Sequence, residues 1–523
     1  MPSLLSVCKR IRRSRASLNA AASYLAFFSN AAWGLAAIPI AVSFLEPRQL
    51  GLWTVVNACL SYLMWMDLGI GNATGRIMAD SVAKRDKPEI SAWWTTTRAA
   101  LFTQSAILLL IGLPLVSPLS HMLNVPPELS NDARWLLFGG VIITAVGLTL
   151  KGVPGLLTSQ HRFHWIPLIS AVTPWINLTV FYSLLAAGFG LKSYIFGLAI
   201  GQLFTWAAYW GLVWTSSDRP TFSSEGLRLW RYKKLFALSG NMTISGLSDT
   251  IIASLPAMII SRMGGLAMVP IYNFSWKGPF MAAGMVSRTY QSFYPGLQRL
   301  HVQGERQHFA DHHAKAGLLT LGGSLVFAGG ILMANTLLVQ LLAGEKFYAG
   351  SLANMWFAAS AVTIPISGFF RILLPISGSM GKQSLVALFK LAVGIVLGSL
   401  LWRLCGLPGI ASVFVLLPLF NGVYSYFRGT RGCGYRPHEL SGSVALGGIA
   451  SILLVLVCGW AISHTSGSMG EFQLNGKTLT LPSAATVALA AIPVTIGTTI
   501  ALCALKRLFS NQDPAAPPII VSP

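Results

Sequence analysis

The chain has 523 residues, of which 54% are hydrophobic and only 10% charged, where an ordinary soluble domain carries roughly 25% charged residues. Its apolar runs are about twenty residues long and lack strict alternation, so they read as spanning helices, not as a soluble fold or a closed barrel. The net charge of +21 comes from 37 Lys+Arg against 16 Asp+Glu. The cations sit mostly in short loops between apolar runs, which excludes a compact nucleic-acid-binding domain and points to topology and anionic lipid head groups.

A basic N-terminus at 1–17, with Lys9, Arg10, Arg12, Arg13 and Arg15, precedes the first apolar run. No small-residue cleavage site follows a short core, so the first helix is expected to be uncleaved. About fourteen helices are expected: 18–44, 50–79, 98–117, 133–157, 166–187, 193–216, 235–261, 268–299, 314–336, 351–377, 384–404, 408–428, 442–464 and 483–505. Six helices form an N-lobe at 18–216, a cytoplasmic linker covers 217–234, and six more form a C-lobe at 235–428. Two extra helices at 442–505 and a cytoplasmic tail at 506–523 complete the chain. With both termini in the cytoplasm, the inside loops hold Lys84, Arg85, Lys87, Arg162, Arg219, Arg228, Arg231, Lys233, Lys234, Arg306, Lys382, Arg428, Arg431 and Arg436. The outside loops hold only Arg48, Arg134, Lys192, Arg262, Lys346 and Lys477, which is the asymmetry a membrane protein shows. The stretch 465–481 is expected as a loop.

Pro39 and Asn57 on helices 1 and 2 are matched by Pro256 and Asn273 on helices 7 and 8, a weak internal repeat of a kind common in transporters. Charges at membrane depth usually face protein or water. Those charges are Asp67, Arg76, Lys151, Asp249, Lys277, Arg288, Arg371 and Lys390. Lys277, Gly284, Arg288 and Gln291 are spaced to fall on one stripe of helix 8. Asn241, Ser245 and Ser248 make a polar stripe on helix 7, and Asn19, Ser23 and Asn30 one on helix 1. Such stripes fit a shared polar lumen; interhelical hydrogen bonding is the plainer account of the Ser and Asn residues. Two cations on one lumen face would hold a phosphate or pyrophosphate, with Arg as a fork and Lys as a point charge. Tyr272, Trp276, Tyr290 and Tyr294 on the same helix suit helix or lipid packing.

Other patterns carry little. His308, His312 and His313 have metal-like spacing but fall in an expected cytoplasmic loop without a scaffold. The six cysteines form no CxxC, and Gly381-Lys382 lacks the phosphate-loop spacing. The sequons at Asn72, Asn177 and Asn241 lie in expected helices. Gly71/Gly75, Gly197/Gly201 and Gly394/Gly398 read as helix packing. Nothing calls for an enzyme, an ATPase, a metal or a cofactor.

From Pro39 through LEPRQLGLWTVVNACLSYLMWMDLGIGNATGRIMAD, the chain resembles the polysaccharide flippases. These are the O-antigen and capsule exporters of the multidrug/oligosaccharidyl-lipid/polysaccharide superfamily. The resemblance rests on Pro39, Gly51-Leu52-Trp53, Asp67-Leu68-Gly69-Ile70 and Arg76, and in the second half on Asp249, Gly264-Gly265 and Tyr272-Asn273. It implies an all-α, MATE-like transporter fold in a bacterial cytoplasmic (inner) membrane, with two lobes about a central cavity that opens alternately to each side. The implied cargo is a polyprenyl-pyrophosphate-linked oligosaccharide, and glycosyltransferases and a polysaccharide polymerase are implied partners. On this reading Lys277, Arg288, Arg371, Gln291, Asn30 and Asn241 are lumen candidates for cargo. Asp67, Asp249 and Arg76 are candidates for ion coupling or charge pairing. A multidrug cation antiporter, a lipid-linked peptidoglycan precursor flippase and a membrane scaffold for glycosyltransferases are the alternatives. Intramembrane cations outnumber carboxylates here, which counts against the antiporter.

Overall fold

The computed structural model describes residues 15–122, 125–160, 162–216, 219–379, 383–465, 468–474 and 477–510. Residues 1–14, Gly381, Lys382 and the tail beyond 510 lie outside the described residues. The chain divides into two compact units, Met1–Pro270 and Ile271–Pro523.

The first unit contains α1 (Arg15–Phe44), α2 (Pro47–Leu63), α3 (Ile70–Ala83), α4 (Lys87–Met122), α5 (Ser130–Leu148), α6 (Gly152–Ser159), α7 (Trp165–Ala186), α8 (Lys192–Trp214) and α9 (Leu229–Gly264). Then come α10 (Met268–Gln303), α11 (Arg306–Leu342), α12 (Ser351–Arg371), α13 (Leu373–Ile376), α14 (Gln383–Cys405), α15 (Leu407–Gly432) and α16 (Gly442–His464). The strands β1 (Ser468–Leu474) and β2 (Lys477–Pro482) and the helix α17 (Ala484–Ser510) complete the described chain.

Among the described residues, eleven helices are long and apolar enough to cross a membrane. The segment from α2 to α3, together with α9 and α10, is helical where three further passages are expected from the sequence, but is not among these eleven. α2 and α3 are short, at 17 and 14 residues, and α9 and α10 carry polar and charged residues singled out above. The chain is a multi-pass, all-α membrane protein whose two short strands are a local addition.

Three sequence expectations are corrected. The helix expected at 50–79 is broken: a 3-10 turn, Met64–Asp67, is followed by Leu68 and Gly69 in the left-handed region at φ 48° and 72°. Glycine takes that conformation without penalty, whereas Leu68 needs its surroundings to hold it. The helix expected at 133–157 is interrupted by a turn at Thr149–Lys151. The loop expected at 465–481 is largely an antiparallel hairpin, in which Glu471 pairs with Thr480 and Leu474 with Lys477. It is tied to α11 by Gln340, whose Nε2 donates to Thr480 Oγ1 at 2.6 Å and whose Oε1 accepts from the Thr480 N–H at 3.0 Å.

Close backbone approaches set the packing of the first unit. A Cβ on Gly71 would lie 2.6 Å from the Lys151 carbonyl oxygen, and one on Gly155 would lie 2.6 Å from the Gly71 carbonyl. The breaks before α3 and α6 therefore pack against each other, backbone on backbone. α9 packs on α2: Trp65 Nε1 donates to Thr250 Oγ1 at 2.6 Å, and Ser61 and Ser254 hydroxyls lie 3.2 Å apart. In the second unit the core forms around α11, α12, α15 and α16, with Phe369 fully buried at its centre. Asn335 Nδ2 donates to the Ser275 carbonyl at 2.9 Å and to Asn354 Oδ1 at 2.8 Å, pinning α10 to α11 and α12.

Candidate functional site

α10 has two unlike faces. Tyr272 and Trp276 are buried against α12 and α15, with Trp276 stacked on Phe414 at 4.3 Å and Tyr272 edge-on to Phe357 at 5.7 Å. Tyr290 is buried in the same core. These rings fill a helical face, and at 100° per residue Lys277, Gly284, Arg288 and Gln291 fall on the opposite one. The cationic stripe is thus turned away from the core of its own unit. Lys277 is half-buried, and among the described residues no hydrogen-bond or ion-pair partner reaches its ammonium group. Arg288 and Gln291 are exposed. Lys277 and Arg288 are eleven residues apart, about 16 Å along the axis.

Arg371 is half-buried at the C-terminal end of α12, where the helix is interrupted before α13. Lys151 occupies the same kind of position, at the turn between α5 and α6. The fourth and tenth passages thus each carry one cation at an interruption, a correspondence between the halves that sequence spacing alone does not reveal.

The other candidates are dispersed. Asp67 is buried at the α2–α3 break, where its Oδ1 accepts the Gly69 N–H at 3.2 Å. Arg76 is exposed and lines a cavity of about 420 Å³ with Asp80, Lys84, Glu89 and Lys234. Asp249 is half-buried on α9, beside the Trp65–Thr250 hydrogen bond. Asn30 lies in the α1–α7 seam, donating to the Ala26 carbonyl at 2.7 Å and the Ser170 carbonyl at 3.2 Å. Asn241 is on the α9 backbone, and its side chain lies outside what is described.

Two sequence readings miss the roles of their residues. The three histidines belong to α11, not to a loop. His313 is fully buried, its Nδ1 2.7 Å from Ser441 Oγ and its ring stacked on Phe369 at 4.3 Å. No cluster of three or more His, Cys, Asp or Glu residues able to hold a metal occurs among the described residues. Arg231, read only as a topology signal, is buried and forms a fork with Glu89, at 3.0 and 2.7 Å, under the rings of Trp93 and Trp230. It fastens the start of α9 to α4.

No family model matches the chain, and no curated protein matches it in sequence. Solved structures match it in fold. The lipid II flippase MurJ in an inward closed conformation aligns with a TM-score of 0.66 at 12% identity, covering 94% of this chain and 98% of that one. A multidrug resistance MATE family transporter of the MOP superfamily, in an inward-facing conformation, aligns with a TM-score of 0.62 at 15% identity, covering 77% and 94%. A MATE transporter of Vibrio cholerae aligns with a TM-score of 0.62 at 14% identity, covering 81% and 98%. The chain has the MATE-like transporter fold.

Proposed function

We propose that this protein is a flippase that moves a polyprenyl-pyrophosphate-linked oligosaccharide across a bacterial cytoplasmic membrane by alternating access, for surface polysaccharide synthesis. The observation that carries the reading is Lys277. An ammonium group at membrane depth costs about 2.5–3.5 kcal/mol to insert, and Lys277, in the first third of α10, has no partner among the described residues. On a stripe with Arg288 and Gln291, it suits an anionic cargo that completes the pairing when bound. The likeness to MurJ, which extends over 94% of this chain, supports a lipid-linked substrate over an organic cation. With the cell interior negative, outward movement of an anion is downhill by about 2.3 kcal/mol per charge per 100 mV.

The test is a deletion strain complemented with wild type or with Lys277→Ala/Arg288→Ala. Polyprenyl-linked oligosaccharide is quantified on each leaflet and finished polysaccharide outside. Cytoplasmic-side accumulation in the deletion strain and in the double variant, at normal protein abundance, is the expected result. Full export by the double variant would sink the site, and normal polysaccharide with altered drug sensitivity in the deletion strain would move the function to the antiporter class. Accumulation of the peptidoglycan precursor instead would assign the other lipid-linked cargo.

A further inference from the structure

The first unit contains a cationic cavity, remote in sequence from the α10 stripe. Its central residue, Arg98, is placed by sequence at the start of the third helix; α4 in fact begins at Lys87 and carries Arg98 three turns inside. The Arg98 guanidinium lies 4.7 Å from the ring centre of Trp210, 5.3 Å from Phe102 and 5.8 Å from Trp94. These residues line a cavity of about 670 Å³ together with Trp214, Arg219, Thr221 and Phe222.

The wall formed by the connection after α8 is built, not incidental. The Thr221 N–H donates to Ser91 Oγ at 3.2 Å, the Ser223 N–H donates to Thr95 Oγ1 at 3.0 Å, and Thr96 Oγ1 donates to the Gly226 carbonyl at 2.7 Å. A Cβ on Gly226 would lie 2.4 Å from the Ala92 carbonyl, so the connection lies flat on α4 only because that residue is glycine.

Ring faces stabilise a guanidinium charge but accept none of its five in-plane N–H groups in a conventional hydrogen bond. Among the described residues no hydrogen-bond acceptor reaches Arg98 or Arg219. The rim is apolar and open: Phe102 is 50% exposed, Trp214 62% and Phe222 76%. Trp210 and Trp214 occupy the last turns of α8, at the end of a span where tryptophans gather at head-group level. A soluble anion has no use for the apolar rim, and a neutral apolar ligand has none for the arginines. An amphiphile with a phosphate head uses both.

We propose that this cavity binds the phosphate of an anionic membrane phospholipid. Arg98 supplies the fork, Arg219 a second charge, and the acyl chains run along Phe102 and Trp214. The bound lipid would also hold the connection between α8 and α9 against α4.

The experiment is native mass spectrometry on the purified full chain in detergent, titrated with dioleoyl phosphatidylglycerol. Wild type should retain one tight phosphatidylglycerol, preferred over phosphatidylcholine. Arg98→Gln should weaken it by about tenfold or more, the worth of a charge-assisted hydrogen bond. Arg98→Lys should fall between them. If Arg98→Gln does not give monodisperse protein, exposed Arg219→Gln is read in its place and should weaken binding by a smaller factor. Equal retention by wild type and the arginine variants overturns the proposal. So does displacement by millimolar inorganic phosphate, which would mark a soluble-anion site, or a strong preference for polyprenyl pyrophosphate, which would make it a cargo site.

Discussion

At the residue scale, Asp67 separates two accounts of the same sequence motif. Its carboxylate accepts the Gly69 N–H at the left-handed turn that reopens the helix. A single intramolecular hydrogen bond of this kind is worth about 1 kcal/mol net. Asp67→Asn keeps an acceptor and should retain abundance and transport, whereas Asp67→Ala should lower folded yield, as read by fluorescence-detected size exclusion. Loss of transport by Asp67→Asn at normal abundance would instead give this carboxyl the coupling proton. Cys433 offers a second residue-scale check. It is buried among Leu297, Phe309 and Leu373 beyond the end of α15, and burial pushes its thiol up to about 11. In a variant with the other five cysteines replaced, it should resist maleimide at about pH 7.5 until the protein is denatured, because both access and thiolate are lacking. Lys277 and Arg288 stand out at this scale because both are cations on a helix expected to cross the membrane. Asn30 is not, since a seam asparagine and a lumen asparagine look alike until the neighbouring carbonyls of Ala26 and Ser170 are known.

At the element scale, the approach of α2 to the turn after α9 depends on Gly51. A Cβ there would fall 1.9 Å from the Leu266 carbonyl oxygen, a backbone atom that cannot rotate away. Gly51→Val should separate the two segments and cost several kcal/mol by the overpacking route, where about 1–3 kcal/mol is usual for side-chain crowding alone. The measurement is the thermal midpoint of purified protein. An unchanged midpoint would mean that the close approach is dispensable. Hydropathy locates this element but not its break, because the pause at Met64–Gly69 is set by one carboxylate and two left-handed residues, not by a loss of apolarity. The hairpin does have a local signal: Asn475-Gly476 in the sequence separates the paired residues Leu474 and Lys477, the two-residue spacing that a tight hairpin turn requires.

At the scale of the whole molecule, the charge asymmetry of the loops predicts which ends of the helices meet the cytoplasm. Cys405 tests that orientation. It is exposed at the end of α14, on the outside by this reading. A chain with Cys405 as its sole cysteine should react with a membrane-impermeant maleimide added to intact cells. Protection until the cells are opened would reverse the orientation and, with it, the direction in which an anionic cargo moves downhill. The division at Pro270 and Ile271 places α9 with the first unit, and each unit carries one cation at a helix interruption, Lys151 in the first and Arg371 in the second.

Composition and hydropathy by themselves determined that the chain crosses a membrane many times as helices, because apolar length and the obligation to satisfy every backbone hydrogen bond leave no other structure. Sequence spacing also determined that Lys277, Gly284, Arg288 and Gln291 share a face, because helical periodicity is local. Tertiary structure decided where helices stop or break, and which polar residues are spent on packing, as Asn30, Asn335 and His313 are. It also brought Arg98 and Arg219 to one aromatic cavity. Those outcomes depend on which distant carbonyl, ring or glycine lies opposite each residue, and no local pattern encodes the partner.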